Sequence, residues 1–150
     1  MEKAKYYLSE SEEFASYSDN DLITAYHNLS RGAYYSVVGT LDSASMLLES
    51  AKSLVGERDN LLLLRIENSL GKVYISQGKP KRGLESLFQA LKLLETFPDR
   101  ETEIKVRINI MWATLSSNSI KIASGLGDNP SGTLPQSLNG FFLMYIIIWQ

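Results

Sequence analysis

Apolar and small residues recur at helical spacing through the middle of the chain, and the segments they mark come in pairs. Between residues 64 and 77, Leu64, Leu70, Gly71, Tyr74 and Ile75 share one helical stripe. Gly78, Lys79 and Pro80 then end that helix, because glycine accepts the left-handed position after a helix and proline cannot continue the hydrogen-bond ladder. A second stripe of Gly83, Leu87, Ala90, Leu91 and Leu94 predicts a helix over residues 81–96. The same succession comes earlier: a helix over 21–38, a turn at 39–42 and a helix over 43–55, with Asp42 as the N-cap of the latter.

The two pairs are copies of one another. Gly32, Tyr35, Gly39, Ala44, Leu48 and Ala51 are matched by Gly71, Tyr74, Gly78, Gly83, Leu87 and Ala90, each 39 residues later. The small residues imply how each pair packs. Gly32 opposite Ala44, and Gly71 opposite Gly83, let two antiparallel helices approach closely, with Tyr35 and Tyr74 filling the wider space beside the crossing. Such a hairpin cannot bury both of its faces alone and needs neighbours.

This pattern resembles the tetratricopeptide repeat. That family places a large apolar residue and a glycine or alanine near the middle of its first helix, an aromatic three residues on, and small residues twelve and nineteen positions after the glycine. Leu70, Gly71, Tyr74, Gly83 and Ala90 meet that pattern closely. Gly32, Tyr35, Ala44 and Ala51 meet it with Arg31 in place of the leucine. The family period is about 34 residues, so an offset of 39 implies longer helices or a longer connection, for which residues 55–60 are the evident place. Stretched repeats of this kind are similar to those of bacterial signalling and regulatory proteins. The resemblance covers residues 25 to 97, as repeats 25–58 and 64–97. It implies an all-α fold of antiparallel helix hairpins stacked as a short right-handed α-solenoid, occupying residues 1–124.

What the family does follows from the same resemblance. Its first helices line a concave groove that holds an extended peptide or a helix of another protein. Projected onto this sequence, the groove positions are Tyr26, Leu29, Ala33 and Ser36 in the first repeat and Arg65, Asn68, Lys72 and Ser76 in the second, continued by Lys105 or Arg107. Arg65 and Lys72 are seven residues apart, two helical turns, and so share a face with Asn68 between them. Guanidinium, amide and ammonium together suit the carbonyls and carboxylates of a bound segment. The variant of the family that clamps a terminal carboxylate wants lysine and asparagine where this chain has Leu29 and Ala33, which argues against that specialisation.

The flanks follow the pattern less closely. Ala4, Leu8 and Ser11 echo Ala44, Leu48 and Ala51 at an offset of 40, so residues 2–17 read as the second helix of an incomplete repeat. Beyond Phe97, Pro98 and Asp99 a further helix is expected over 101–116, with Met111 or Ala113 at the glycine position. Residues 124–135 are dense in turn formers and read as loop. The chain then carries nine consecutive apolar residues, 141–149. These are too few to span a bilayer, which takes about 20 in a helix. Three readings stand: a terminal element covering the open end of the core, the start of a membrane segment, or a tail foreign to the fold.

Composition narrows the function classes. Of the 150 residues, 44% are apolar and 21% charged, as in an ordinary globular domain. With 15 basic and 17 acidic residues the net charge is −2, which gives no long-range field to gather nucleic acid. Cysteine is absent, which excludes disulfides, thiolate zinc sites and cysteine nucleophiles and fits a reducing compartment. Residues 1–10 are charged and amphipathic rather than signal-like, so the expected location is cytoplasmic.

Candidate chemistry is sparse. His27 is the only histidine and is expected on a helix surface. The glycines near residue 125 lack the lysine and hydroxyl residue of a phosphate loop, and no nucleophile elbow is present. Glu10, Glu12 and Glu13, and the basic turn at Lys79, Lys81 and Arg82, read as solvated charge. The expectation is therefore a protein–protein interaction scaffold, the regulatory module of a bacterial signalling protein, without enzymatic activity, cofactor, metal or small-molecule substrate. Self-association through the open repeat ends is expected as well. The alternative is a fragment of a membrane-tethered sensor or transcription regulator, with the apolar run beginning its membrane segment.

Overall fold

The computed structural model describes residues 3, 6, 9–13 and 20–125, and side chains as far as residue 115. Every regular element among them is a helix. Residues 9–13 are helical, and five long helices follow: α1 (Asp21–Val38), α2 (Leu41–Val55), α3 (Asn60–Ser76), α4 (Pro80–Thr96) and α5 (Arg100–Gly125). The segment at 126–135 and the apolar run 141–149 lie outside the described residues, as do most of residues 2–17.

The starts of α1, α3 and α5 repeat one device. Asn20 accepts a bond from the Leu22 backbone N–H at 2.9 Å, and Asp59 accepts one from Leu62 at 2.9 Å. Asp99 accepts from the Thr102 hydroxyl at 2.6 Å. That hydroxyl, helped by backbone N–H groups of Glu101 and Thr102, holds the Asp99 carboxyl below its ordinary range. Positions 20, 59 and 99 thus carry the repeat at intervals of 39 and 40, each satisfying donors that the first helical turn leaves free. The second helices begin differently. Helix α2 starts at Leu41 after Thr40, with no side-chain cap bond. Asp42, expected to cap it, lies in its first turn and accepts from Gln77 Nε2 at 3.0 Å instead.

Within each hairpin the small residues sit at the crossing. A Cβ on Gly32 would fall 2.7 Å from Leu48 Cγ, and one on Gly71 would fall 2.5 Å from Leu87 Cγ. Gly83 faces Gly71, whose carbonyl oxygen is 2.9 Å from where a Gly83 Cβ would stand. Gly39 and Gly78 end the first helices with φ of 86° and 73°. In both turns the residue after the glycine donates back to the tyrosine carbonyl, Thr40 to Tyr35 at 3.0 Å and Lys79 to Tyr74 at 2.8 Å.

Two apolar clusters join the hairpins. One packs Ala44, Leu48, Ala51 and Val55 of α2 against Leu62, Ile66, Leu70 and Val73 of α3. The other packs Leu64 of α3 and Leu87, Ala90 and Leu94 of α4 against Val106 and Ile110 of α5. Fully burying one such leucine or isoleucine contributes about 1.5–3 kcal/mol, so these stripes outweigh any single polar contact. Polar side chains clasp the α2–α3 boundary: Lys52 Nζ lies 2.8 Å from Glu67, Tyr74 donates to Glu49, and Gln77 Nε2 also reaches Leu41 O at 3.1 Å.

Helix α5 repeats only half of what α3 does. Its buried residues Thr102, Val106, Ile110 and Ala113 stand 40 positions after Leu62, Ile66, Leu70 and Val73. It then runs on to Gly125, past the expected end near 116, and takes in Ser124 and Gly125 where the sequence reads as loop. No glycine or proline lies between Arg100 and Ser124 to stop it.

Candidate functional site

Helix α3 packs against α1 and α5 as well as α2 and α4, so the three first helices are neighbours. The residues projected onto a groove fall along them. Tyr26 is exposed on α1, and its hydroxyl donates to Asp59 Oδ2 at 3.3 Å. Burial and then the Asp59 charge raise its pKa, opposed by the positive charge of Arg65. That same charge lowers the Asp99 pKa, so Arg65 stands within electrostatic reach of both α1 and the start of α5. Arg65 and Lys72 are exposed, and neither forms an ion pair among the described residues. Asn68, half-buried between them, accepts from Asn109 Nδ2 of α5 at 2.9 Å.

Other projected positions are placed differently. Leu29 is partly buried and packs on the α1–α3 core, and Ala33 is exposed. Arg107 pairs with Glu103 on its own helix at 2.8 Å, and Lys105 pairs with Glu101 at 2.5 Å. Asn109, which the sequence does not single out, is the α5 residue that meets Asn68. A position two residues from one charged candidate and four from the other is invisible until the helix register is known.

His27 leaves the place expected of it, and Arg82 and Glu67 gain neighbours that the sequence does not indicate. His27 is 8% exposed, not a surface group; its Nδ1 lies 2.9 Å from Ser11 Oγ, and Nε2 has no partner among the described residues. Ser11 thus meets the ring from the N-terminal helical residues, and Glu12 beside it pairs with Arg31 at 2.8 Å. Arg82 is exposed, and its guanidinium lies over the Tyr74 ring, 4.8 Å from the centroid. Glu67 is 3% exposed with only one of its carboxylate oxygens satisfied. Burial, and then the bond to Glu49, push the Tyr74 phenol up to about 12.

The assembled face is therefore a donor surface: two cations without an ion pair among the described residues and an amide on α3, flanked by Tyr26 and Asn109. It can hold carboxylates or backbone carbonyls by charge-assisted hydrogen bonds. Among the described residues no group of acidic or histidine side chains could hold a metal ion, and no helix is long and apolar enough to cross a membrane. Compared with protein-family models, curated proteins and solved structures, the chain gives no match.

Proposed function

We propose that the chain is a protein-interaction scaffold of the tetratricopeptide type, its hairpins stacked as a short right-handed solenoid. The face formed by α1, α3 and α5 takes an extended or helical segment of a partner protein. The observation that carries this reading is the exposure of Arg65 and Lys72, two turns apart on one helix and free of ion pairs among the described residues, with Asn68 between them. On α5, by contrast, Lys105 and Arg107 are paired with Glu101 and Glu103 one turn away. The partner segment is accordingly acidic, and a regulatory role in bacterial signalling is the context in which such stretched repeats are expected.

Peptide arrays of acidic and neutral segments, probed with the full chain, test it. Acidic segments should be retained, and Arg65→Glu/Lys72→Glu should lose them while the helical circular-dichroism signal is unchanged. Retention that ignores the charge reversal would remove the groove assignment.

A further inference from the structure

Helix α3 is covered on two sides, and α5 on one. The second covered side of α3 includes Leu64, buried in the α4 cluster, Gly71 beneath Leu87, and Ile75, whose Cγ1 lies 2.7 Å from where a Gly83 Cβ would stand. Forty residues on, the same offset that relates the buried stripes of the two helices, these positions are Ile104, Met111 and Leu115. Ile104 is 48% exposed, Ile108 beside it 42%, and Leu115 36%. The side of α5 turned away from the core is thus as apolar as the side turned toward it, the pattern of a helix covered on two sides, with the ion pairs of Glu101, Glu103, Lys105 and Arg107 between them. What α4 does for α3, nothing among the described residues does for α5.

We infer that this stripe is the docking site of the chain's own apolar run, residues 141–149. The run is nine residues without a charge, and as a helix it would extend about 13 Å at 1.5 Å per residue. By the same rise the stripe from Ile104 to Leu115 is about 16 Å long. Residues 126–140 connect the end of α5 to the run, and a fully extended connection of that length reaches about 50 Å. The way back from Gly125 to Ile108 is about 26 Å along the helix, so the run can lie antiparallel on α5 with slack to spare. Left in water, both surfaces would be association-prone, and each is the nearest apolar surface to the other along the chain.

The absence of cysteine allows a direct test in the full chain. Single thiols are introduced as Ile108→Cys, Leu115→Cys and, as an exposed control on α1, Val37→Cys, and their rates of reaction with a disulfide reagent are compared. Thiols at 108 and 115 should react at least tenfold more slowly than the one at 37. Adding Ile146→Asp and Ile147→Asp should bring them within about twofold of it and leave the control rate unchanged. Equal reactivity in the native run, or protection that survives the aspartates, overturns the assignment. So does protection that vanishes on hundredfold dilution, which would mean a second copy, or that arises only with phosphatidylcholine vesicles, which would mean a membrane.

Discussion

Gly71 lies so close beneath Leu87 that a Cβ added to it would fall 2.5 Å from the leucine Cγ, with the Gly83 carbonyl oxygen 3.1 Å away. Gly32 holds the same relation to Leu48, 39 residues earlier, at 2.7 Å with Ala44 O at 3.3 Å. The second crossing is the tighter because glycine, not alanine, stands opposite. Gly71→Ala should therefore destabilise by about 1–3 kcal/mol, the usual range for forcing extra volume into a packed site. Gly32→Ala should cost less. Urea unfolding midpoints of the two variants, compared at equal slope, check the order.

Gly78 raises the opposite situation: an added Cβ would meet nothing within 4 Å, yet φ is 73°. Here Gly78→Ala should cost about 1–2 kcal/mol through the left-handed backbone alone, and Gly78→Asn should recover part of it, since asparagine tolerates that region. At Gly71 asparagine should be worse than alanine. Thermal melts of the four variants separate a steric requirement for glycine from a conformational one.

Lys52 and Glu67 tie α2 to α3 at 2.8 Å, with the carboxylate 3% exposed and the ammonium side chain 41%. Lys52→Met leaves a buried carboxylate without its counter-charge and should destabilise by about 2 kcal/mol, less than for a fully buried pair because water reaches the lysine. Adding Glu67→Leu removes the stranded charge and should restore most of that loss. A double-mutant cycle in urea measures it, and a double variant less stable than Lys52→Met alone would refute this account.

Much of this arrangement is written in the residues. The 39-residue correspondence of Gly32, Tyr35, Ala44 and Leu48 with Gly71, Tyr74, Gly83 and Leu87 places two hairpins and their crossings, because only a close helix approach demands small residues at those intervals. The cap series Asn20, Asp59, Asp99 was there to be read as well, but all three fall outside the two close copies, 25–58 and 64–97. Glu67 and His27 were not legible. A polar residue among apolar ones looks like a boundary of the exposed face, and only the neighbouring helix, bringing Lys52 or Ser11, makes its burial tolerable. Lys105 and Arg107 likewise look like surface cations until i,i+4 partners claim them.

His27 makes stability depend on pH in a definite direction. Its pKa lies below the ordinary 6.5, chiefly because burial disfavours the charged ring, reinforced by the Arg31 guanidinium and opposed by Glu12. The unfolded chain therefore binds the proton more readily than the folded one. Stability contributed by the neutral ring is complete above pH 6.5 and is lost as the pH falls from there toward the depressed folded value. As the only histidine, it is the side chain whose ordinary titration falls in that window. The unfolding free energy should decline between pH 7.5 and 5.5, and His27→Gln should flatten the decline. Because Ser11 lies against the ring at 2.9 Å, hydration of the charged ring should first loosen the N-terminal helical residues from α1. Hydrogen-exchange protection of residues 9–13, taken relative to the intrinsic rate at each pH, should accordingly fall at pH 5.5 before that of the α3–α4 hairpin, and an unchanged pattern in both regions would count against it.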